Sequence, residues 1–106
     1  MEPLINSDLP QKELFPGYKG RFIHSEHMTI VMWEITAGAP VPVHSHPHEQ
    51  IVQVHEGVLE LTVNGKAHRL EAGMSFVIPS NVPHTAVAIT DCKVTDTFSP
   101  PREEYK

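Results

Sequence analysis

Residues 38–57 read Gly-Ala-Pro-Val-Pro-Val-His-Ser-His-Pro-His-Glu-Gln-Ile-Val-Gln-Val-His-Glu-Gly, and the interpretation of the whole chain starts from this stretch. Two histidines, His44 and His46, stand two residues apart between Pro42 and Pro47. In a strand this spacing puts both imidazoles on one face, about 7 Å apart along it. Gln50 has the same parity, so the pattern indicates a cluster of side chains that can hold a metal ion.

Outside this stretch, short apolar runs recur between turn residues. Leu59, Leu61 and Val63 share one face of such a run, and Asn64-Gly65 then predicts a two-residue hairpin. No apolar stripe at helical spacing is long enough to require a helix. The pattern predicts an all-β sandwich or barrel. The predicted strands are residues 21–24, 29–36, 51–56, 58–64, 66–70, 75–78, 85–89 and 92–98.

Length and composition set further limits. A chain of 106 residues has room for one hydrophobic core. Residues 1–20, punctuated by prolines, are predicted to form an irregular N-terminal arm with one short strand, and residues 21–106 the barrel. A net charge of −5 argues against a nucleic-acid partner. The lack of a leader-like or membrane-spanning apolar run, with a single cysteine, predicts a cytoplasmic protein with no membrane partner.

The spacing around the two histidines resembles a known motif. This stretch is similar to the first cupin motif, with the order Gly38, five residues, His44-x-His46, three residues, Gln50, six residues and Gly57. This resemblance implies the cupin double-stranded β-helix, a jelly-roll barrel of one domain.

A second stretch resembles the second cupin motif. It has the spacing of that motif, with the order Gly73, five residues, Pro79-x-Asn81, two residues and His84. Asn81 and Ala88 stand where the motif carries glycine and asparagine. Neither departure removes a histidine.

Together the two motifs imply one divalent metal ion held by His44, His46, Gln50 and His84. Most cupins carry glutamate where this chain has Gln50. A neutral amide leaves the ion its full charge, which favours Lewis acidity and weakens affinity. Nickel, zinc, iron, copper and manganese all remain open. His48 shares the same parity and is a candidate fifth ligand or substrate contact. Because imidazoles normally titrate near pH 6.5, metal release is expected below about pH 6.

The last predicted strand carries an acidic residue on its apolar face. Cys92, Val94, Asp96 and Phe98 share that face, so Asp96 is expected to point into the barrel. Burying an unpartnered carboxylate costs several kcal/mol. Two interpretations follow: a turn-bonding or strand-capping aspartate, or an acid facing a cavity, with a raised pKa suited to proton transfer.

Arg102 follows the rigid pair Pro100-Pro101. Held there, its guanidinium could grip a carboxylate through two parallel hydrogen bonds. The alternative is a solvated tail residue paired to Glu103 or Glu104.

The C-terminal segment resembles that of the pectin degradation protein family; it comprises residues 96–105, Asp-Thr-Phe-Ser-Pro-Pro-Arg-Glu-Glu-Tyr. Residues 78–84 resemble the second motif of the same family. Members of this family convert 4,5-unsaturated uronate monomers from pectin or alginate into linear keto forms at a metal site of three histidines and one glutamine. The resemblance implies an isomerase with an acidic sugar as substrate. It also implies that Asp96, Phe98 and Arg102 form a catalytic motif for proton transfer and substrate holding. We expect Asp96 to move the proton, Arg102 to hold the substrate carboxylate, and Phe98 with Ala86 and Ala88 to shape the cavity wall.

Two other functions remain open. An iron-dependent cupin dioxygenase or other oxidoreductase would also use a three-histidine site with free positions. A non-enzymatic cupin that binds a small molecule such as a sugar would need the pocket without the proton-transfer residue. The free arm and open sheet edges, with the family resemblance, predict a homodimer.

Overall fold

The computed structural model describes residues 1–106 and consists of strands and short turns. The ten strands are β1 (Lys12–Phe15), β2 (Tyr18–His24), β3 (Thr29–Ile35), β4 (Pro40–His44), β5 (Glu49–Glu56), β6 (Val58–Val63), β7 (Lys66–Glu71), β8 (Ser75–Ile78), β9 (His84–Ala88) and β10 (Cys92–Ser99). Single 3-10 turns lie at Asn6–Asp8 and Glu103–Tyr105. No helix is long and apolar enough to cross a membrane.

The strands form two antiparallel sheets. One has the order β1-β2-β3-β10-β5-β8 and the other β4-β9-β6-β7. The all-β, single-domain prediction is confirmed, and the eight predicted strands correspond to β2, β3 and β5 to β10. β1 and the start of β2 fall within residues 1–20, the range for which the sequence predicts an arm.

β4 was not predicted because its residues include Pro40 and Pro42. Proline cannot donate to a sheet ladder, so it is confined to edge strands and bulges. β4 lies at the edge of its sheet and pairs only with β9, and the register shifts between Val41 and His44. An edge position with an irregular register accommodates both prolines.

The core lies between the two sheets. On β10, the predicted inward face is confirmed, since Cys92, Val94 and Phe98 are each no more than 3% exposed. Val31 on β3 and Ile78 on β8 are fully buried against the same interior. Removing apolar area of this kind from water is the main stabilising contribution.

Two asparagines adopt left-handed backbone conformations. Asn64 and Gly65 have φ of 50° and 79°, as the predicted hairpin turn requires. Asn81 has φ of 64°, in the region that glycine and asparagine tolerate best. Its N–H donates to the carbonyl of His46 at 2.8 Å. Asparagine can therefore adopt the left-handed backbone conformation at the position where the cupin motif has glycine.

Candidate metal centre and substrate cavity

Three histidines are brought together from three segments of the chain. His44 ends β4, His46 lies in the bend that follows, and His84 begins β9 opposite His44. Gln50 lies on β5, after the bend. The assumption of one continuous strand from His44 to Gln50 was therefore wrong, because residues 45–48, which include Pro47, separate β4 from β5. The side chains converge through the bend and through strand pairing.

The imidazoles form a compact cluster. One ring nitrogen from each of His44, His46 and His84 lies within 4.8 Å of the other two. The ring centroids of His44 and His84 are 4.2 Å apart, and those of His46 and His84 are 4.9 Å apart. His46 and His84 are buried.

Backbone carbonyls fix the tautomer of all three rings. The Nδ1 atoms of His44, His46 and His84 lie 2.8, 3.0 and 2.9 Å from carbonyl oxygens. Because a carbonyl can only accept, each neutral ring carries its proton on Nδ1 and has a lone pair on Nε2. This is the usual outer contact of a metal-binding histidine. The carbonyls belong to Pro42, His48 and Val82.

The Nε2 lone pairs fit a divalent metal ion. His84 Nε2 is buried and has no hydrogen-bond partner. Gln50 Oε1 lies 3.1 Å from His46 Nε2. The amide of Gln50 also contacts Asp96 as a hydrogen-bond donor, and this contact assigns Oε1 to the side facing His46. The lone pairs of His46 Nε2 and Gln50 Oε1 therefore face each other, and that of His84 Nε2 has no partner. A cation bound between these three atoms would give each lone pair a partner.

Burial keeps two of these imidazoles neutral. Burial, with the positive charge of Arg102, lowers the pKa of His46 from 6.5 to about 4. Burial also lowers the pKa of His84. Neutral imidazole is the form that binds metal, so both rings are ready to bind at neutral pH.

A cavity of about 310 Å³ lies beside the histidines. Most of its lining side chains are aromatic or aliphatic, and the others are polar. The polar residues include His44, Gln50, His84, Asp96 and Arg102. Phe98 and Ala86 belong to the wall, while Ala88 lies in the core.

Asp96 faces this cavity from the middle of β10, as the strand parity predicts. The indole N–H of Trp33 donates to Asp96 Oδ2 at 3.0 Å. Burial raises the pKa of Asp96 from 3.8 to about 6, against the lowering effects of Gln50, Trp33 and Arg102. A carboxyl group with this pKa can both accept and give a proton near neutral pH. The turn-bonding alternative was wrong, because the residue lies mid-strand.

Arg102 is only 8% exposed, so the interpretation as a solvated tail residue was wrong. Its guanidinium carbon lies 4.9 Å from the ring centroid of Phe98 and 4.4 Å from that of Tyr105. Arg102 does form an ion pair with Glu104, one of the two partners predicted for it from the sequence. Nη1 is nevertheless buried without a hydrogen-bond acceptor. The cavity therefore has a buried cationic donor that is free to receive an anion.

His48 holds the tail rather than joining the three-histidine cluster. It is buried, and its Nε2 lies 3.2 Å from the carbonyl oxygen of Pro101. Thr29 Oγ1 accepts the N–H of Arg102 at 2.9 Å from the other side. Together these contacts fix the peptide group between Pro101 and Arg102.

The cavity residues that the sequence analysis missed include Trp33 and Tyr105, both of which contact the candidate site. Trp33 has the inward parity of Val31 and Ile35 on β3, and it is the only tryptophan in the chain. Those two facts could have singled it out. Its partner Asp96 lies 63 residues away, and no local pattern predicts that pairing.

Known proteins share this fold and this arrangement of motifs. A family model described as "Cupin domain" matches residues 31–98, which is more than half of the chain. The chain therefore belongs to the cupin family.

Within the cupins, the similarity extends to particular small proteins. The chain is 31% identical over 104 residues to the pectin degradation protein KdgF of Dickeya dadantii, covering 95% of this chain and 94% of that one. The structure of KdgF from a Halomonas species matches with a TM-score of 0.91 and 32% identity, over 96% of both chains. An RmlC-like cupin from Shewanella frigidimarina matches with a TM-score of 0.92 and 32% identity, over 97% of this chain and 94% of the other. The chain belongs to the same family of pectin degradation cupins as KdgF.

Proposed function

We propose that this cupin is a metal-dependent isomerase that opens and ketonises 4,5-unsaturated uronate monomers derived from pectin or alginate. One observation carries the proposal: Asp96 and Arg102 line the same cavity as His44 and His84, two members of the histidine cluster. Similarity to a relative named as a pectin degradation protein supports the choice of substrate class.

The cavity suits a small anionic substrate. Its volume of about 310 Å³ is at the lower end of the range for small-molecule sites, which favours one sugar ring over an oligosaccharide. The uronate carboxylate would complete the hydrogen bonding of Arg102, whose Nη1 has no acceptor. Cation–π contacts with the rings of Phe98 and Tyr105 restrain the guanidinium and lower the entropy cost of holding the anion.

The reaction moves one proton. The anomeric hydroxyl loses it, the bond between C1 and the ring oxygen breaks, C5 becomes a ketone and C4 receives a proton. Asp96 is the group in the cavity whose raised pKa suits both halves of this transfer. A divalent ion at His44, His46, Gln50 and His84 would supply Lewis-acid polarisation of substrate oxygens.

Loss of the C4=C5 absorbance of an unsaturated galacturonate monomer tests the proposal. Metal-loaded protein should accelerate the decay above the spontaneous background, chelated protein should not, and Asp96→Asn should abolish the acceleration. Asp8→Asn, in the exposed N-terminal turn, is the matched control and should keep full activity. No acceleration with any divalent metal would refute the uronate assignment.

The same preparation separates the two rival functions. Oxygen uptake by the iron-loaded protein would indicate an oxidoreductase. Saturable binding of the sugar without turnover, retained in Asp96→Ala, would indicate a binding protein.

We also propose that the chain forms a homodimer through the outer face of the six-stranded sheet. A row of side chains in register crosses five strands of this face, and four of the five are aliphatic. Ile51 and Val77 are 38% and 55% exposed, whereas their chain neighbours Val52 and Ile78 are buried. A continuous apolar row of this kind favours a second copy of the chain as its partner. The row consists of Ile23, Ile30, Thr97, Ile51 and Val77.

A further inference from the structure

The indole of Trp33 contacts the carboxylate that we propose moves the proton. We propose that Trp33 is a positioning residue, whose N–H fixes Asp96 in the orientation in which the carboxylate holds the amide of Gln50 and faces the cavity. Only the kinetic part of the test below rests on the proposed function.

The residues directly opposite Asp96 on its two adjacent strands are aliphatic. Asp96 pairs with Val31 on β3 and with Val52 on β5. Trp33 lies two residues further along β3, opposite Val94, and its indole reaches diagonally to Asp96 Oδ2 at 3.0 Å. A carboxylate among aliphatic residues needs donors, and the indole supplies one of them.

The indole itself has little freedom. Trp33 is 5% exposed and packs edge-on against Tyr18 and Phe22, with ring centroids 5.7 Å away in both cases. Tyr105 packs edge-on at 6.4 Å. Gly20 opposite Trp33 makes room for the ring, because a Cβ there would lie 2.8 Å from Cζ3. A donor held this firmly restricts the rotamer of its acceptor.

The contacts continue from Asp96 to the candidate ligands. Asp96 accepts a hydrogen bond from the Gln50 amide, and Gln50 Oε1 lies 3.1 Å from His46 Nε2. Without the indole N–H, the carboxylate would lose a donor and could turn away from Gln50. One donor on β3 therefore fixes both the proton-transfer group and the glutamine oxygen.

The first experiment needs neither metal nor substrate. The chain has one tryptophan, so its ¹H–¹⁵N spectrum contains one indole cross-peak. In the metal-free protein this N–H should exchange with deuterium at least about tenfold faster in Asp96→Ala than in the wild type. Asp8→Asn should leave the exchange unchanged, and the backbone cross-peaks show whether each variant is folded. Equal exchange in wild type and Asp96→Ala would overturn the proposal.

The second experiment removes only the N–H. Because Trp33 is the single tryptophan, biosynthetic replacement by β-(3-benzothienyl)alanine exchanges its N–H for sulfur and changes no other residue. We expect kcat to fall about tenfold, with KM changed less than about twofold, because the ring still packs and only an oriented hydrogen bond is lost. 5-Fluorotryptophan, which keeps the N–H, should leave kcat unchanged.

A third variant displaces the ring instead of altering it. Gly20→Ala forces the indole to shift and should lower kcat in the same direction while far-UV circular dichroism stays native. Equal kcat for the two tryptophan analogues would overturn the positioning role. If no preparation turns over the uronate, the proposed function fails and the indole exchange alone decides this proposal.

Discussion

At the scale of single residues, burial makes the chemistry of the site possible. It keeps His46 and His84 neutral at physiological pH, which frees their Nε2 atoms for a ligand. Burial also raises the pKa of Asp96 towards neutrality. Desolvation therefore shifts the pKa of all three groups. For Asp96, a buried negative charge should also lower the free energy of unfolding.

Asp96→Asn should stabilise the metal-free protein at pH 8. The pKa of Asp96 is raised from 3.8 to about 6, so its contribution to stability is present below pH 3.8 and is lost as pH rises through 6. Removing the charge should raise the free energy of unfolding by about 1 to 3 kcal/mol at pH 8 and by little at pH 3.5. Urea unfolding at the two pH values measures the difference. A variant that is less stable at pH 8 would contradict this assignment.

Arg102→Lys should impair substrate binding although the charge is kept. Lysine cannot make two parallel hydrogen bonds to a carboxylate or present a planar cation to the rings of Phe98 and Tyr105. We expect KM for the uronate to rise about tenfold or more, with a smaller fall in kcat. Arg69→Lys, at an exposed ion pair with Glu71, is the control and should leave both constants unchanged. An unaltered KM in Arg102→Lys would show that Arg102 does not hold the substrate.

At the scale of elements, the site is made where strands end. β4 ends at His44, a bend carries His46, and β9 begins at His84. The motif spacing predicted these residues, because motif recognition does not depend on the local backbone. The bend was not predicted, because a regular strand also places two residues at this spacing, such as His44 and His46, on the same face. The Trp33–Asp96 contact depends on pairing between β3 and β10, which sequence periodicity does not reveal.

The Asn81 turn joins the second motif to the first, and its left-handed backbone makes a matched pair of variants informative. Asn81→Gly should change the free energy of unfolding by less than about 1 kcal/mol. Asn81→Val should lower it by about 1 to 3 kcal/mol, because a β-branched residue is strained at this φ. Thermal or urea unfolding measures both, and equal stability of the two variants would contradict the assignment of backbone strain.

At the scale of the whole molecule, the chain forms two antiparallel sheets, and the recurrence of short apolar runs between turn residues was enough to predict an all-β sandwich or barrel. Alternation along the strands gives each sheet an outer face. On the six-stranded sheet this face carries the apolar row that we propose as the dimer interface, and β8 is one edge of that sheet.

Ile51→Glu should convert the proposed dimer into monomers. Ile51 lies within the apolar row, where a buried unpaired carboxylate would cost several kcal/mol. Light scattering coupled to size-exclusion chromatography should give about half the wild-type mass at the same concentration. Arg69→Glu, a change of charge on β7 of the other sheet, should leave the mass unchanged. A wild-type chain that is already monomeric would contradict the proposed interface.

The metal content of the purified chain tests the proposed centre most directly, because the proposed mechanism requires a bound ion. After loading with zinc or nickel and desalting, elemental analysis should find one ion per wild-type chain. His84→Ala, which removes the buried Nε2 that has no partner, should find less than about one tenth of that. His55→Ala, at an exposed ring bonded to Thr95, should keep the full amount. Full metal content in His84→Ala would contradict the centre.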